Sequence, residues 1–243
     1  MDPKGKAAIV TGGARIGHEV ALALARRGCS IAMTYLSSRA AVEGTVEQAR
    51  ALGVKAIALQ ADATNESQVE AAVKEASSSL GSVDILVNMA SIYASTPAPG
   101  NADWTRMMDA NARSVFLYST HAAPLMKRAG AGRIINFADW LPISGRPRYH
   151  GYVPYYTSKA AVKALTESLA LELAPAILVN AIAPGPILAP PDLNAAENAE
   201  VMHATPLERW GGAEEIAKAA VFLIDTDFVT GECIRVDGGR HLL

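Results

Sequence analysis

The chain has 243 residues, half of them hydrophobic and 19% charged, which is enough apolar material for one large core and too much for a disordered chain. A formal net charge of -2 leaves no basic excess to neutralise a phosphate backbone, so nucleic acid is not an expected partner. No apolar run approaches the about 20 residues of a membrane span, and the first six residues lack the charged, apolar, small-residue order of a secretion signal. The expectation is a soluble, cytoplasmic protein with a small-molecule substrate.

Strand-like and helical segments alternate in chain order. Residues 6–11 read as a buried strand, 16–27 as a helix stopped by Gly28, and 29–35 as a second strand. A helix over 39–52 ends at Gly53; a strand over 54–60 and a helix over 67–80 follow. Residues 83–88 are a fourth strand, 104–128 one long helix, and 133–138 a fifth strand. A helix over 154–173 precedes a strand at 177–182; 213–223 is helical and 232–236 is a last short strand. Two long irregular stretches remain, 139–152 and 184–205; the second, rich in Pro and Ala, reads as a mobile substrate loop. Strands that are apolar throughout are buried on both faces. Their alternation with helices predicts a single α/β domain, Rossmann-like, whose doubly wound parallel sheet carries helices on both faces. Ligands of such sheets sit beyond the carboxyl ends of the strands.

The first strand ends in Thr11-Gly12-Gly13-Ala14-Arg15-Ile16-Gly17 and opens a helix. Glycines there let a pyrophosphate approach the backbone, and the helix N-terminus favours its charge; a tight turn without ligand also wants glycine. After the second strand comes Tyr35-Leu36-Ser37-Ser38-Arg39, with no acid between Cys29 and Val42. An acid there would hold the ribose hydroxyls of NAD, whereas hydroxyls and Arg39 suit a 2′-phosphate, which favours NADP. Ser38 can equally be a helix cap.

Tyr155 and Lys159 are four residues apart, so they share a helix face. An ammonium beside the phenol is expected to favour phenolate and lower a pKa that starts near ~10, so that the phenol can give a proton as hydride arrives. Chance can supply such a pair; its position decides. The five histidines form no metal-binding spacing, so no metal is expected. Cys29 and Cys233 sit in apolar settings and read as buried free thiols.

Together these residues resemble the short-chain dehydrogenase/reductase family over nearly the whole chain. The resemblance rests on Thr11-Gly12 to Gly17, Asp62-Ala63, Asn88-Met89-Ala90-Ser91, Asn111, Tyr155-x3-Lys159, Asn180-Ala181-Ile182-Ala183-Pro184-Gly185, and Thr230-Gly231 to Asp237-Gly238-Gly239. It implies a catalytic Tyr155 and Lys159, with Lys159 also on the nicotinamide ribose and Asn111 positioning a water in a proton relay. It implies adenine contacts from Asp62 and Ala63, cofactor support from Asn88 and Ala90, and nicotinamide contacts from Pro184, Gly185 and Ile187. Gly12, Arg15 and Ile16 fall on the phosphate turn, and Tyr35, Ser37 and Ser38 on the adenosine ribose. A homotetramer is the implied assembly.

The chain departs from the family pattern in four places. The glycine turn is one residue short, with Arg15 where a glycine is usual; Met89 and Ser91 stand in Asn-Asn-Ala-Gly; and the catalytic serine after the fifth strand is missing, the sequence there being Phe137-Ala138-Asp139-Trp140. These departures look like the pteridine reductase branch. That likeness implies Asp139 as the partner of Tyr155 and Lys159, Arg15 reaching phosphate and substrate, and Ser91, Tyr93, Asp139 and Tyr155 around the substrate, with Tyr93 stacking on a pterin. The leading expectation is therefore NADPH-dependent reduction of a dihydropterin-like substrate. The alternatives are a general carbonyl or 3-oxoacyl reductase using Ser144 in place of Asp139, and a cofactor-binding protein without catalysis.

Overall fold

A computed structural model of the chain describes residues 1–12, 14–145, 148–191 and 193–243. Seven strands form one sheet: β1 (Ala7–Thr11), β2 (Ser30–Tyr35), β3 (Ala56–Gln60), β4 (Ile85–Asn88), β5 (Gly132–Phe137), β6 (Ile177–Pro184) and β7 (Cys233–Val236). Their order is β3-β2-β1-β4-β5-β6-β7, and every pairing is parallel. The order reverses between β1 and β4, which opens a crevice at their carboxyl ends.

Helices cover both faces, as the unbroken apolar strands require. Helices α1 (Ile16–Arg26) and α2 (Arg39–Ala51) lie on one face, and α3 (Glu66–Leu80) on the other. Alternate residues of one strand serve opposite cores: Ile85, Val87 and Ile135 pack with Val20, Leu24 and Val46, while Leu86 and Ile134 pack with Val73, Leu117 and Met126.

The long helix expected over 104–128 is broken. Helix α4 (Asn101–Met108) passes through a π-helical turn at Asp109–Arg113 into α5 (Ser114–Arg128). Such a turn, with its i→i+5 bonding, re-aims the side chains it carries, and Asn111 lies inside it. The two stretches expected to be irregular each hold a helix. The first contains α6 (Trp140–Ser144), begun by the Asp139 side chain accepting from Leu141 N and closed by Gly145 at φ +66°. After α7 (Val153–Leu173), the second holds α8 (Ala195–His203), opened by a capping box in which Asn194 and Glu197 satisfy each other's backbone amides. Helix α9 (Ala213–Asp225) completes the first face. No helix among the described residues is long and apolar enough to cross a membrane.

Candidate active site

Two clefts meet at the carboxyl ends of the strands. The larger, about 600 Å³, runs from the β2 end to Lys159. Its floor is the turn between β1 and α1. Gly12 has φ +66°, and a Cβ there would lie 2.9 Å from the Ala90 Cα, so the turn and the β4 end approach as only glycine allows. The Thr11 hydroxyl fixes that approach by accepting from Met89 N (3.0 Å) and Ala90 N (3.1 Å). Gly13, part of the expected phosphate turn, lies outside the described residues.

Most of the expected cofactor residues line this cleft. Gly12, Arg15 and Ile16 lie at one wall; Tyr35, Ser37 and Ser38 at the β2 end; Asp62 and Ala63 beyond them; Ala90, Ser91, Pro184 and Gly185 toward the reactive end. Asp62 Oδ1 accepts from the Thr64 amide and hydroxyl, both at 2.8 Å. Three expectations fall differently. Arg39 is exposed and engaged by Glu43 at 2.8 Å, so it does not reach the cleft. Asn88 lies beneath the cleft: its amide donates to Ser119 Oγ (3.2 Å) and Asn136 Oδ1 (2.9 Å), tying β4 to β5 and α5, while its Oδ1 has no protein partner. Ile187 lines the second cleft instead.

The cleft fits a dinucleotide in shape and donors: a glycine cradle at a helix N-terminus, exposed hydroxyls at the β2 end, and a buried ammonium, Lys159, at the far end. The geometry of the reactive end comes from β5 and α7. Pro154 in the first turn of α7 starts that helix, and Tyr155 and Lys159 then project from one face toward the end of β5. The phenol donates to Asp139 Oδ2 at 2.7 Å. The Lys159 ammonium donates to the Phe137 carbonyl at 2.9 Å. Asp139 thus does two things: Oδ1 caps α6 by accepting from Leu141 N at 2.8 Å, and Oδ2 holds the phenolic proton. Ser144 does neither, because its hydroxyl is spent on the Trp140 and Leu141 carbonyls.

The electrostatics correct one expectation. The phenol of Tyr155 is pushed well above its ordinary value, first by burial and then by the facing Asp139 carboxylate. A lowered value was expected from Lys159. The ammonium, however, is directed at a backbone carbonyl, and the near charge is negative. Burial also lowers Lys159 to about 8, opposed by Asp139. It raises Asp139, opposed by the hydrogen bonds from Leu141 and Tyr155 and by Lys159. All three groups are therefore drawn toward their uncharged forms, and the phenol retains its proton.

Asn111 reaches neither Lys159 nor the cleft. Its amide clasps Ile92, accepting from Ile92 N (2.7 Å) and donating to Ile92 O (3.0 Å), and donates to Ser158 Oγ (2.9 Å). Ser158 in turn donates to the Tyr155 carbonyl at 2.7 Å, so the π-turn pins the start of α7 to the loop after β4.

The second cleft, about 370 Å³, opens beside Asp139 and Tyr155. Tyr93 lies there, as expected for a substrate residue; its ring stacks on Tyr152 (centroids 5.0 Å apart) and meets Tyr155 edge-on at 4.8 Å, yet the residue is 61% exposed. Ser91 is exposed at the rim of the first cleft. The sequence reading missed Trp140, Tyr149, Trp210 and Arg240, which wall this cleft. Only Arg240 carried a signal, directly after the Asp237-Gly238-Gly239 turn. Cys233 is half-buried rather than buried; both cysteines are free, and burial raises both thiols to about 12.

Residues 12–241 match the family model described as enoyl-(acyl carrier protein) reductase. A 3-oxoacyl-[acyl-carrier-protein] reductase of Staphylococcus aureus is 36% identical, the match covering 98% of each chain. The chain belongs to the short-chain dehydrogenase/reductase family. A short-chain type dehydrogenase/reductase of Picea abies is 34% identical over 97% of this chain and 92% of its own. Among solved structures, a 7α-hydroxysteroid dehydrogenase in complex with NADH and a 7-oxo bile acid superposes with TM-score 0.90 at 33% identity, covering 98% of this chain and 94% of that one. A blue fluorescent protein in complex with NADPH, from a metagenomic library, gives 0.89 at 35%, covering 99% of each. These family relatives favour the carbonyl-reductase alternative over the pteridine branch, which they do not support. The seven-stranded Rossmann-like fold is the family's, and the chain is an oxidoreductase of that family.

Proposed function

We propose that the protein is an NADPH-dependent reductase of small carbonyl compounds, with Tyr155 as proton donor. One observation carries the reading: the Tyr155 phenol, 2.7 Å from Asp139 and one turn from buried Lys159, stands where the two clefts meet. A bound nicotinamide supplies the hydride. Gly12, Arg15 and Ile16 would hold the pyrophosphate, Ser37 and Ser38 the 2′-phosphate, Asp62 and Ala63 the adenine, and Pro184, Gly185 and Lys159 the nicotinamide riboside. The chain's own chemistry is proton delivery. Asp139 orients the phenolic hydrogen, and burial keeps it on Tyr155 until a substrate oxygen gains negative charge. The phenolate left behind is then served by the buried Lys159 ammonium one turn along α7, which leaves the Phe137 carbonyl to do so. The intact set of Tyr155, Asp139 and Lys159 argues against a non-catalytic cofactor binder.

A second reading, reduction of a C=N bond in a flat heterocycle such as a dihydropterin, has its own observation. Asp139 stands where the family carries serine and is bonded to the phenol, beside a cleft walled by Tyr93, Trp140, Tyr149 and Trp210. The deciding experiment is NADPH consumption with a panel of ketones and 3-oxoacyl thioesters beside a dihydropterin. Carbonyl turnover supports the first reading; dihydropterin turnover alone replaces it with the second. Homotetrameric assembly belongs to the same proposal and is read by light scattering in solution.

A further inference from the structure

The β7 end leads into two glycines with left-handed backbone, Gly238 (φ +62°) and Gly239 (φ +83°). A Cβ on Gly238 would fall 2.7 Å from Thr205 Cγ2, so the turn packs hard against the end of the substrate loop. Asp237 secures the turn by accepting from Gly239 N (3.0 Å) and His241 N (3.2 Å), and pairs with the His241 ring at 2.6 Å. The turn thereby drives Arg240 inward: it is 7% exposed and lines the second cleft.

Arg240 is a buried cation served by neutral groups. Its guanidinium donates to the Val201 carbonyl (2.9 Å), the Thr205 hydroxyl (3.3 Å) and the Tyr149 hydroxyl (3.5 Å), and lies 5.6 Å from the centre of the Trp140 ring. Among the described residues no carboxylate pairs with it; Asp237, three positions earlier, is committed to His241. Five N–H donors in a rigid fork suit a planar oxyanion, and a buried charge without a counter-ion is costly unless something supplies one. Among the described residues, the charges lining this cleft are Arg15 and Arg240 against Asp139, and Asp139 is occupied by Tyr155 and the α6 cap.

We infer that Arg240 is a specificity-determining residue that selects substrates carrying an oxyanion, a carboxylate or a phosphate, on the side of the molecule away from the reducible bond. The inference rests on the second cleft being the substrate site of the proposed reductase. It adds a class of substrate, oxo-compounds with an anionic group, which a neutral ketone or an uncharged pterin does not satisfy.

The test is equilibrium binding of benzoate, phenylphosphonate and benzamide to the full chain and to Arg240→Met and Arg240→Lys, by calorimetry. An anion that pairs with a buried guanidinium is expected to bind at least roughly tenfold tighter than the neutral amide. That preference is expected to collapse in Arg240→Met and to persist in part in Arg240→Lys; a merely structural loss would weaken anion and amide alike. The order of benzoate and phenylphosphonate identifies which oxyanion the site takes. Equal binding of anion and amide by the unaltered chain overturns the inference, even if Arg240→Met does not fold. Reduction of 4-acetylbenzoate, whose carboxylate lies across the ring from the ketone, against its methyl ester gives a second reading, with the carboxylate preferred. Turnover of neutral ketones with no anion preference would sink this inference and leave the reductase proposal standing. Anion preference with no turnover of any substrate would do the reverse.

Discussion

Asp139 joins two jobs in one carboxylate, capping α6 through Oδ1 and holding the Tyr155 proton through Oδ2, and a single substitution can separate them. Asparagine caps helices about as well as aspartate, so Asp139→Asn is expected to keep the melting temperature while lowering kcat roughly tenfold or more; unchanged kcat would reduce Asp139 to a cap. Lys159 carries the pH dependence. Burial depresses its pKa to about 8, so the ammonium is present below that pH and lost above it. The rate of NADPH oxidation is expected to fall as pH rises through about 8, and a flat profile to pH 10 would contradict the assignment. Tyr155 and Lys159 were legible because four-residue spacing on a helix states a shared face. The direction of the phenol's shift was not legible: it depends first on burial and then on which charge lies nearer, and the nearer one comes from a loop 16 residues away in sequence.

At the scale of elements, the parallel sheet and both helical layers followed from apolar runs and their alternation, because strands buried on both faces must be covered on both. Helices α6 and α8 escaped because both are short and sit in Pro-rich sequence, although Asn194-x-x-Glu197 was a readable capping box. Removing that cap tests how α8 is held. Asn194→Ala is expected to cost about 1 kcal/mol locally, seen as faster amide exchange in α8 with little change in global melting. The π-turn at Asp109–Arg113 had no sequence mark, since neither Gly nor Pro interrupts the helical pattern there, yet it decides that Asn111 grips Ile92 and Ser158. The β6 end is tighter than the sequence suggested. A Cβ on Gly185 would lie 2.6 Å from the Asp237 Cα, so Gly185→Ala is expected to destabilise the fold by about 1–3 kcal/mol, read as a lowered urea midpoint.

For the molecule as a whole, the parallel sheet places a larger cleft and a smaller aromatic one side by side, with Tyr155 and Asp139 lining both and Lys159 lining the larger. The β2 end of the larger cleft presents Ser37 and Ser38 and no acid between Cys29 and Val42. Ser38→Asp is therefore expected to weaken NADPH binding roughly tenfold or more while sparing NADH; equal binding of the two cofactors by the unaltered chain would remove the 2′-phosphate assignment. The central claim is that Tyr155 delivers a proton in a cofactor-dependent reduction. Its most direct test is Tyr155→Phe, assayed for NADPH consumption with a carbonyl panel and a dihydropterin, beside NADPH affinity by fluorescence. The account predicts a fall of at least about a hundredfold in kcat with cofactor affinity nearly unchanged; full activity in Tyr155→Phe would contradict it.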